Sequence, residues 1–404
     1  MNEQFRYSGD PADLSALFPG TQGRTYLSTC TRGLLPVPAR EALDAHLDGL
    51  ANGTTDKDAL FSCIDRTRAS FARMIRCDTD EVAFTKNVSE GLNIIAASID
   101  WQQGDNVVVC LDVEHPNNVY PWLNLRERMG VDVRSVPQRE GHVDAQRLID
   151  AMDGRTRLVT LPTVSFSPGF RTDVATVGDV CRDRGVFLLA DAVQSAGILD
   201  TDVGALKVDG LAVSTQKGLC GLYGMGFLYC RRAWAERMTP AYLARFGVDL
   251  GDAHEAAFGS DNYALMPAAR RFDLGNYNYP GAVVAEQSLA ILNGIGTRTI
   301  EAHVLSLAKR LIDGVLALGL AVPGGEAGAH TSSIVSIGKV GSGGHDTSDD
   351  PMVTSLSAYL GEHDVVHTIR RGMVRLALHI YNTEDDIDRV LEVAKTWTAK
   401  NAQT

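Results

Sequence analysis

Paired cysteine spacings are missing from this chain. Its seven cysteines, Cys30, Cys63, Cys77, Cys110, Cys181, Cys220 and Cys230, include no C-x-x-C. They are odd in number and scattered, and several lie in apolar runs where a thiol behaves as a small hydrophobe. That pattern argues against a disulfide framework or a metal site and fits a reducing compartment. No apolar run approaches the about 20 residues of a membrane span. The opening residues, MNEQFRYSGDPADL, lack the apolar stretch of a secretory signal. The expectation is therefore a cytoplasmic protein with no membrane partner. Basic charge is also short: 38 Lys and Arg stand against 50 Asp and Glu, a net charge of −12. A nucleic-acid surface would show a basic patch instead. There is no internal repeat, and the one low-complexity stretch is the loop Gly341-Ser342-Gly343-Gly344-His345.

The chain does hold alternating strands and helices. At 404 residues, 45% hydrophobic and 22% charged, it has ordinary globular composition and room for two domains. Apolar strands are expected at Glu81–Thr85, Asn106–Asp112, Val131–Val136, Leu158–Val164, Val186–Ala190, Gly210–Val213 and Phe227–Arg231. Helices are expected between them, one beginning near Leu92 and others at Ala145–Ala151, Val174–Arg184 and Trp234–Phe246. Strands apolar on both faces, alternating with helices, indicate a mainly parallel, doubly wound α/β sheet. Residues 247–280 read as a long irregular segment, and such segments are usually functional. Residues 1–24 read as an arm, 25–295 as a large domain and 296–404 as a smaller α+β domain.

Ligands of open α/β sheets bind beyond the carboxyl ends of the strands. The stretch Val186–Tyr229 places Asp191 and Lys217 at two such exits, Lys217 ahead of a glycine-rich turn. An amine and a carboxylate there point to pyridoxal phosphate (PLP), whose chemistry needs a Schiff-base lysine and an acid beside the pyridine nitrogen. Lys217 is then the catalytic residue, anchor and general base. Asp191 pairs with the ring nitrogen. His115, beyond another strand, covers the ring face, while Gln194 and Ser214 supply hydrogen bonds to the ring oxygen and the phosphate. Val88 and Ser89, in the turn leading into the helix near Leu92, suit a phosphate through backbone N–H groups and a hydroxyl, although Ser89 reads equally well as a simple cap. Arg375, on the late strand MVRLAL, suits a substrate carboxylate, which a guanidinium grips with two parallel hydrogen bonds. Arg32, Tyr120, Arg370 and His379 are further candidates for the pocket wall.

These motifs, in this order, resemble the class V aminotransferase family of fold-type I PLP enzymes. That group includes cysteine desulfurases, isopenicillin N epimerase and the alanine/serine–glyoxylate aminotransferases. KNVSEGLN resembles the family's phosphate turn, EHPNN its ring-stacking histidine motif, DAVQSAG its Asp-x-x-Gln motif, STQKGL its lysine motif and RLALHIYNTEDDID its substrate-arginine strand. The resemblance adds Gln216 to the cofactor-binding set. It implies a homodimer in which Gly275-Asn276 crosses the interface, so that Asn276 reaches the neighbouring cofactor. It also implies an α-amino-acid substrate, with transamination expected first and β-elimination (C–S cleavage) or epimerisation as alternatives. A PLP-binding regulatory protein is the non-enzyme alternative. Two departures bear on the reaction. Cysteine desulfurases of the usual mechanism carry a persulfide-forming cysteine in the C-terminal domain, and residues 323–404 hold none, so that activity is not expected. Phe166 also stands where many relatives place an asparagine.

Overall fold

The computed structural model of the protein describes residues 11–251 and 263–401. Residues 1–10 of the expected arm, and 252–262 of the expected irregular segment, lie outside the described residues. Seven strands form the central sheet. Their order across it is Val82–Thr85, Gly226–Cys230, Gly210–Ser214, Phe187–Asp191, Thr156–Pro162, Asn106–Val109 and Asp132–Ser135. Gly226–Cys230 pairs antiparallel with both of its neighbours; the other four ladders are parallel. Phe187–Asp191 and Gly210–Ser214 are buried along their whole length. Their runs FLLA and GLAV are what a strand covered on both faces requires. All exits but that of Gly226–Cys230 point to one edge, and this edge carries the site.

A second, antiparallel sheet has the order Ile334–Ile337, Met373–Ala377, Thr368–Arg370. Arg375 lies on its central strand opposite Ser336 and Thr368. Side chains directly opposite share a face, and this face turns toward the large sheet: Ser336 Oγ donates to Pro168 O at 2.7 Å. Two residues, Arg371 and Gly372, join Thr368–Arg370 to Met373–Ala377. Both have positive φ, 47° and 84°, as a tight hairpin of this twist demands. A Cβ at Gly372 would collide with Ser342. The two-residue strand Thr25–Tyr26 pairs with Val365–Val366 and not with the large sheet, and Phe18 packs on Tyr381 at 5.0 Å. The N-terminal segment is therefore laced to the C-terminal part of the chain.

Several local expectations are corrected. The helix expected at Trp234–Phe246 is only Arg232–Ala235, because Pro240 has no N–H and its ring blocks a continuing turn. The helix expected near Leu92 starts at Val88, capped by Asn87, whose side chain accepts from Glu90 N at 3.0 Å. Ser89 is thus inside the first turn and is not the cap. The strand from Asn106 stops at Val109, and a short 3-10 turn occupies Leu111–Val113.

The edge strand Val82–Thr85 is pinned by a buried ion pair. Arg68 Nη2 meets Asp273 Oδ2 at 2.7 Å, with both side chains almost fully buried. Asp273 Oδ1 accepts from Phe84 N at 2.8 Å, and Tyr277 Oη donates to Oδ2 at 3.0 Å. Every oxygen of the buried carboxylate has a donor, which is the condition under which such a pair is tolerated.

Candidate active site

Strand exits and the small sheet enclose one cavity of about 360 Å³. Val88, His115, Asp191, Gln194, Ser214, Gln216, Lys217, Arg370 and Arg375 are on its wall. Five other expected residues are not: His379, described below, and Ser89, Arg32, Tyr120 and Asn276. Ser89 offers only its carbonyl, to Asn93 Nδ2 at 2.8 Å. Arg32 is exposed, with its guanidinium 5.5 Å from the ring of Tyr223, which does line the cavity. Tyr120 is two-thirds exposed at a helix start. Asn276 lines a neighbouring cavity with Lys86, Glu90 and Gly275, and Gly224 is common to both.

Lys217 sits on a turn fixed from four sides. Gly33 N donates to Gln216 O at 2.8 Å, Cys220 N to Lys217 O at 3.0 Å and Gly221 N to Thr215 O at 2.8 Å. From below, His379 Nε2 meets Gly218 O at 2.8 Å, while its Nδ1 accepts from Ile380 N at 2.7 Å. These two contacts require the Nε2–H tautomer. His379 therefore lies under the lysine turn and not in the cavity, and burial pushes it down to about 4. A Cβ at Gly218 would strike Ala196 O, so the turn after the lysine packs backbone against backbone.

Burial lowers the Lys217 amine to about 8, reinforced by Arg375 and opposed by Asp191. Burial also dominates at His115, pushed down to about 4 with Lys217 contributing, so its ring is neutral. The His115 ring meets Phe166 edge-on at 4.9 Å, and its Nδ1 accepts from Asn117 N at 3.2 Å. Asp191 is buried and accepts one hydrogen bond, from Val193 N at 2.9 Å. No described cation reaches it at ion-pair distance, and burial raises its carboxyl. Ser214 Oγ accepts from Val88 N at 2.8 Å, tying the two expected phosphate-binding groups together.

Sequence reasoning missed part of the wall. His345, from the glycine-rich loop read as merely flexible, stacks on Phe166 at 5.9 Å. That loop is held by Ser342 Oγ, which donates to Gly372 O at 3.1 Å, and by Gly372 N, which donates to Thr347 O at 3.1 Å. Cys30 lines the cavity, and Gln194 Nε2 donates to its carbonyl at 3.2 Å. Glu114 lines it too, fully buried, with Oε1 lacking a hydrogen-bond partner among the described residues. Burial, and then Asp191, pushes the Glu114 carboxyl well up. Glu114 is next to His115 in sequence; only its burial marks it out.

Comparison with known proteins settles the family. The description "Aminotransferase class-V" matches residues 50–390. A probable cysteine desulfurase of Methanothermobacter thermautotrophicus is 32% identical over 393 residues, covering 93% of this chain and 95% of that protein. The chain belongs to the class V aminotransferase family. An uncharacterised aminotransferase of Bacillus subtilis is 28% identical, over 96% of this chain and 98% of its own length. Among solved structures, apo cysteine desulfurase from Thermococcus onnurineus superposes with a TM-score of 0.84 at 24% identity, covering 98% of this chain and 100% of that one. A cystine C–S lyase in complex with cysteine persulfide gives 0.81 at 23%, with 93% and 99% covered. At these identities the two structures speak to the fold alone, which is fold-type I.

A class V enzyme uses PLP, and the residues here fit it. The fit rests on Asp191, a buried carboxylate with no cation at ion-pair distance, which a protonated pyridine nitrogen would satisfy. Lys217 supplies the amine for the aldehyde. The first turn of the helix Val88–Ser98, with the Ser214 hydroxyl, supplies N–H and O–H donors to a phosphate.

Proposed function

We propose that this PLP enzyme acts on an α-amino acid through Lys217, and that its reaction is transamination. One observation carries the reading. Among the described residues Lys217 is the only lysine on the cavity wall, which it shares with Asp191, and its amine is lowered to about 8. A base with a pKa near neutrality holds and returns a proton efficiently. The other basic side chains of the wall do not match it. His115 is held neutral and wedged against Phe166, and the Gln216 amide beside the lysine does not titrate. When bound, PLP supplies an electron-accepting ring to which the substrate amine is attached. The chain supplies the rest. Arg375 Nη1, donating to Phe166 O at 2.8 Å, is held so that its remaining N–H groups receive the α-carboxylate. Lys217 Nζ would take the α-proton and hold it for return. His115 excludes water from one face. Cofactor contacts are assigned to Val88, His115, Asp191, Gln194, Ser214 and Gln216, and the substrate contact to Arg375.

C–S cleavage is the second reading, and Cys30 favours it. It is the one cysteine on the cavity wall, and its thiol lies close enough to Lys217 and Arg370 to interact with both charges. Products separate the readings. PLP-loaded protein given single amino acids should release the matching keto acid without ammonia. Pyruvate with ammonia and a thiol means elimination, and alanine with sulfane sulfur, released as sulfide once a thiol reductant is added, means desulfuration. No product from any amino acid would defeat the enzyme reading.

A further inference from the structure

Two arginines converge on the cavity, and an α-carboxylate needs only one. Arg370 and Arg375 both line it, and both are more than nine-tenths buried. Their guanidinium carbons stand 5.2 Å and 5.3 Å from the centre of the Phe166 ring, so both lie against one aromatic side chain. The two charges feel each other: Arg375 is the second cause, after burial, of a lowered Arg370. Like charges gathered in a buried pocket are costly unless anions arrive to pair them.

Their partners differ. Arg375 is spent on neutral acceptors, Phe166 O at 2.8 Å and Thr368 Oγ1 at 3.4 Å. Arg370 Nη1 touches the Asp346 carboxylate and the His345 ring, but its Nε is buried with no partner among the described residues. Asp346 is two-thirds exposed, and its other oxygen lies 2.8 Å from His345 Nδ1 on the glycine-rich loop. A solvated carboxylate on such a loop is a weak partner. An incoming carboxylate that also engages the orphaned Nε would bind as a fork and let Asp346 return to water.

We propose that the substrate is a dicarboxylic α-amino acid, its α-carboxylate on Arg375 and its side-chain carboxylate on Arg370. This rests on the reading of the cavity as the amino-acid site of a PLP enzyme and names its substrate class. Arg370 is then a specificity-determining residue, and Phe166 is the platform that holds the two guanidiniums side by side. The opposite end of the cavity, at Val88 and Ser214, is where the cofactor phosphate is assigned, so the cofactor does not use up these charges.

Binding, not turnover, tests this. PLP-loaded protein in phosphate-free buffer is titrated calorimetrically with succinate and glutarate, and with propionate and butyrate as one-carboxylate controls. The expected result is at least tenfold tighter binding of a dicarboxylate than of its control. Arg370→Gln should bring the dicarboxylate to the control's level, Arg370→Lys should fall between, and Arg375→Gln should weaken both ligand types. Equal affinities for the two ligand types in the unmodified protein overturn the proposal whether or not the variants fold. So does an Arg370→Gln protein that keeps its preference. Retention of PLP on Lys217 is checked in the same samples. If PLP is held and no preference appears, only the substrate class fails; if PLP is not held at Lys217, the underlying reading fails first.

Discussion

Replacing Lys217 by methionine should stabilise the cofactor-free protein. An ordinary lysine titrates near 10.5 and Lys217 near 8, chiefly because it is buried. At pH 7 both the folded and the unfolded chain carry the proton, so folding brings a charge into a site that disfavours it. The penalty is about 3 kcal/mol at about 1.4 kcal/mol per pKa unit. Between about pH 8 and 10.5 the unfolded chain binds more protons than the folded one, so stability rises with pH through that window. Below about 8 the penalty is fully present. Methionine is unbranched, fits irregular space and carries no charge. Asp191 opposes the shift and is left without its nearest cation in the variant, but its own carboxyl is already raised by burial. Urea unfolding of the cofactor-free proteins between pH 6.5 and 10 measures the difference. Lys217→Met should be the more stable by up to about 3 kcal/mol at pH 7, with the gap closing from pH 8 upward. A variant less stable at pH 7, or a difference that does not change with pH, would refute the argument that a charge is held there against its solvation. PLP reverses the order, since only the wild type gains its binding energy.

Other perturbations have equally definite outcomes. The rate at which cofactor-free protein captures PLP, followed by absorbance with Lys217→Ala as blank, should climb about tenfold per pH unit to about pH 8 and then level; a climb continuing to pH 10 would contradict the lowered amine. Asp191→Asn removes a charge-assisted hydrogen bond of about 1.5–3 kcal/mol, so PLP should bind about 10- to 100-fold more weakly in a fluorescence titration. Arg68→Met leaves Asp273 buried without its cation, and the urea midpoint should reveal a loss of about 3–5 kcal/mol. Arg375→Lys keeps the charge and loses the fork, so KM for the amino acid should rise about tenfold or more while PLP stays bound.

The strand exits were the readable part of the site. Asp191 and Lys217 each follow an uninterrupted apolar run, and such runs in a parallel sheet end on one edge. Val88, His115 and Ser214 were readable by the same logic, since each lies within a few residues of a strand end. Arg375 was readable from its strand, but its neighbours were not. His345 reaches the cavity, and Asp346 reaches Arg370, only because their loop folds over the Arg371-Gly372 turn, a contact between distant segments that local pattern does not record. Ser89 lies off the cavity wall, in the first turn of the helix that Asn87 caps. Pro240, ahead of a glycine-free amphipathic stretch, was the one local signal that the Trp234–Phe246 helix could not continue. His379 looked like a pocket residue from its strand, but the tight approach at Gly218 places it beneath the lysine turn instead.

The central claim is that Lys217 is the residue that holds the cofactor. Protein loaded with PLP is reduced with borohydride, digested and mapped by mass spectrometry. The account predicts a pyridoxyl-phosphate adduct on the peptide carrying Lys217 and on no other lysine, absent from Lys217→Ala. An adduct on a different lysine, or none on a protein that retains PLP, would contradict it.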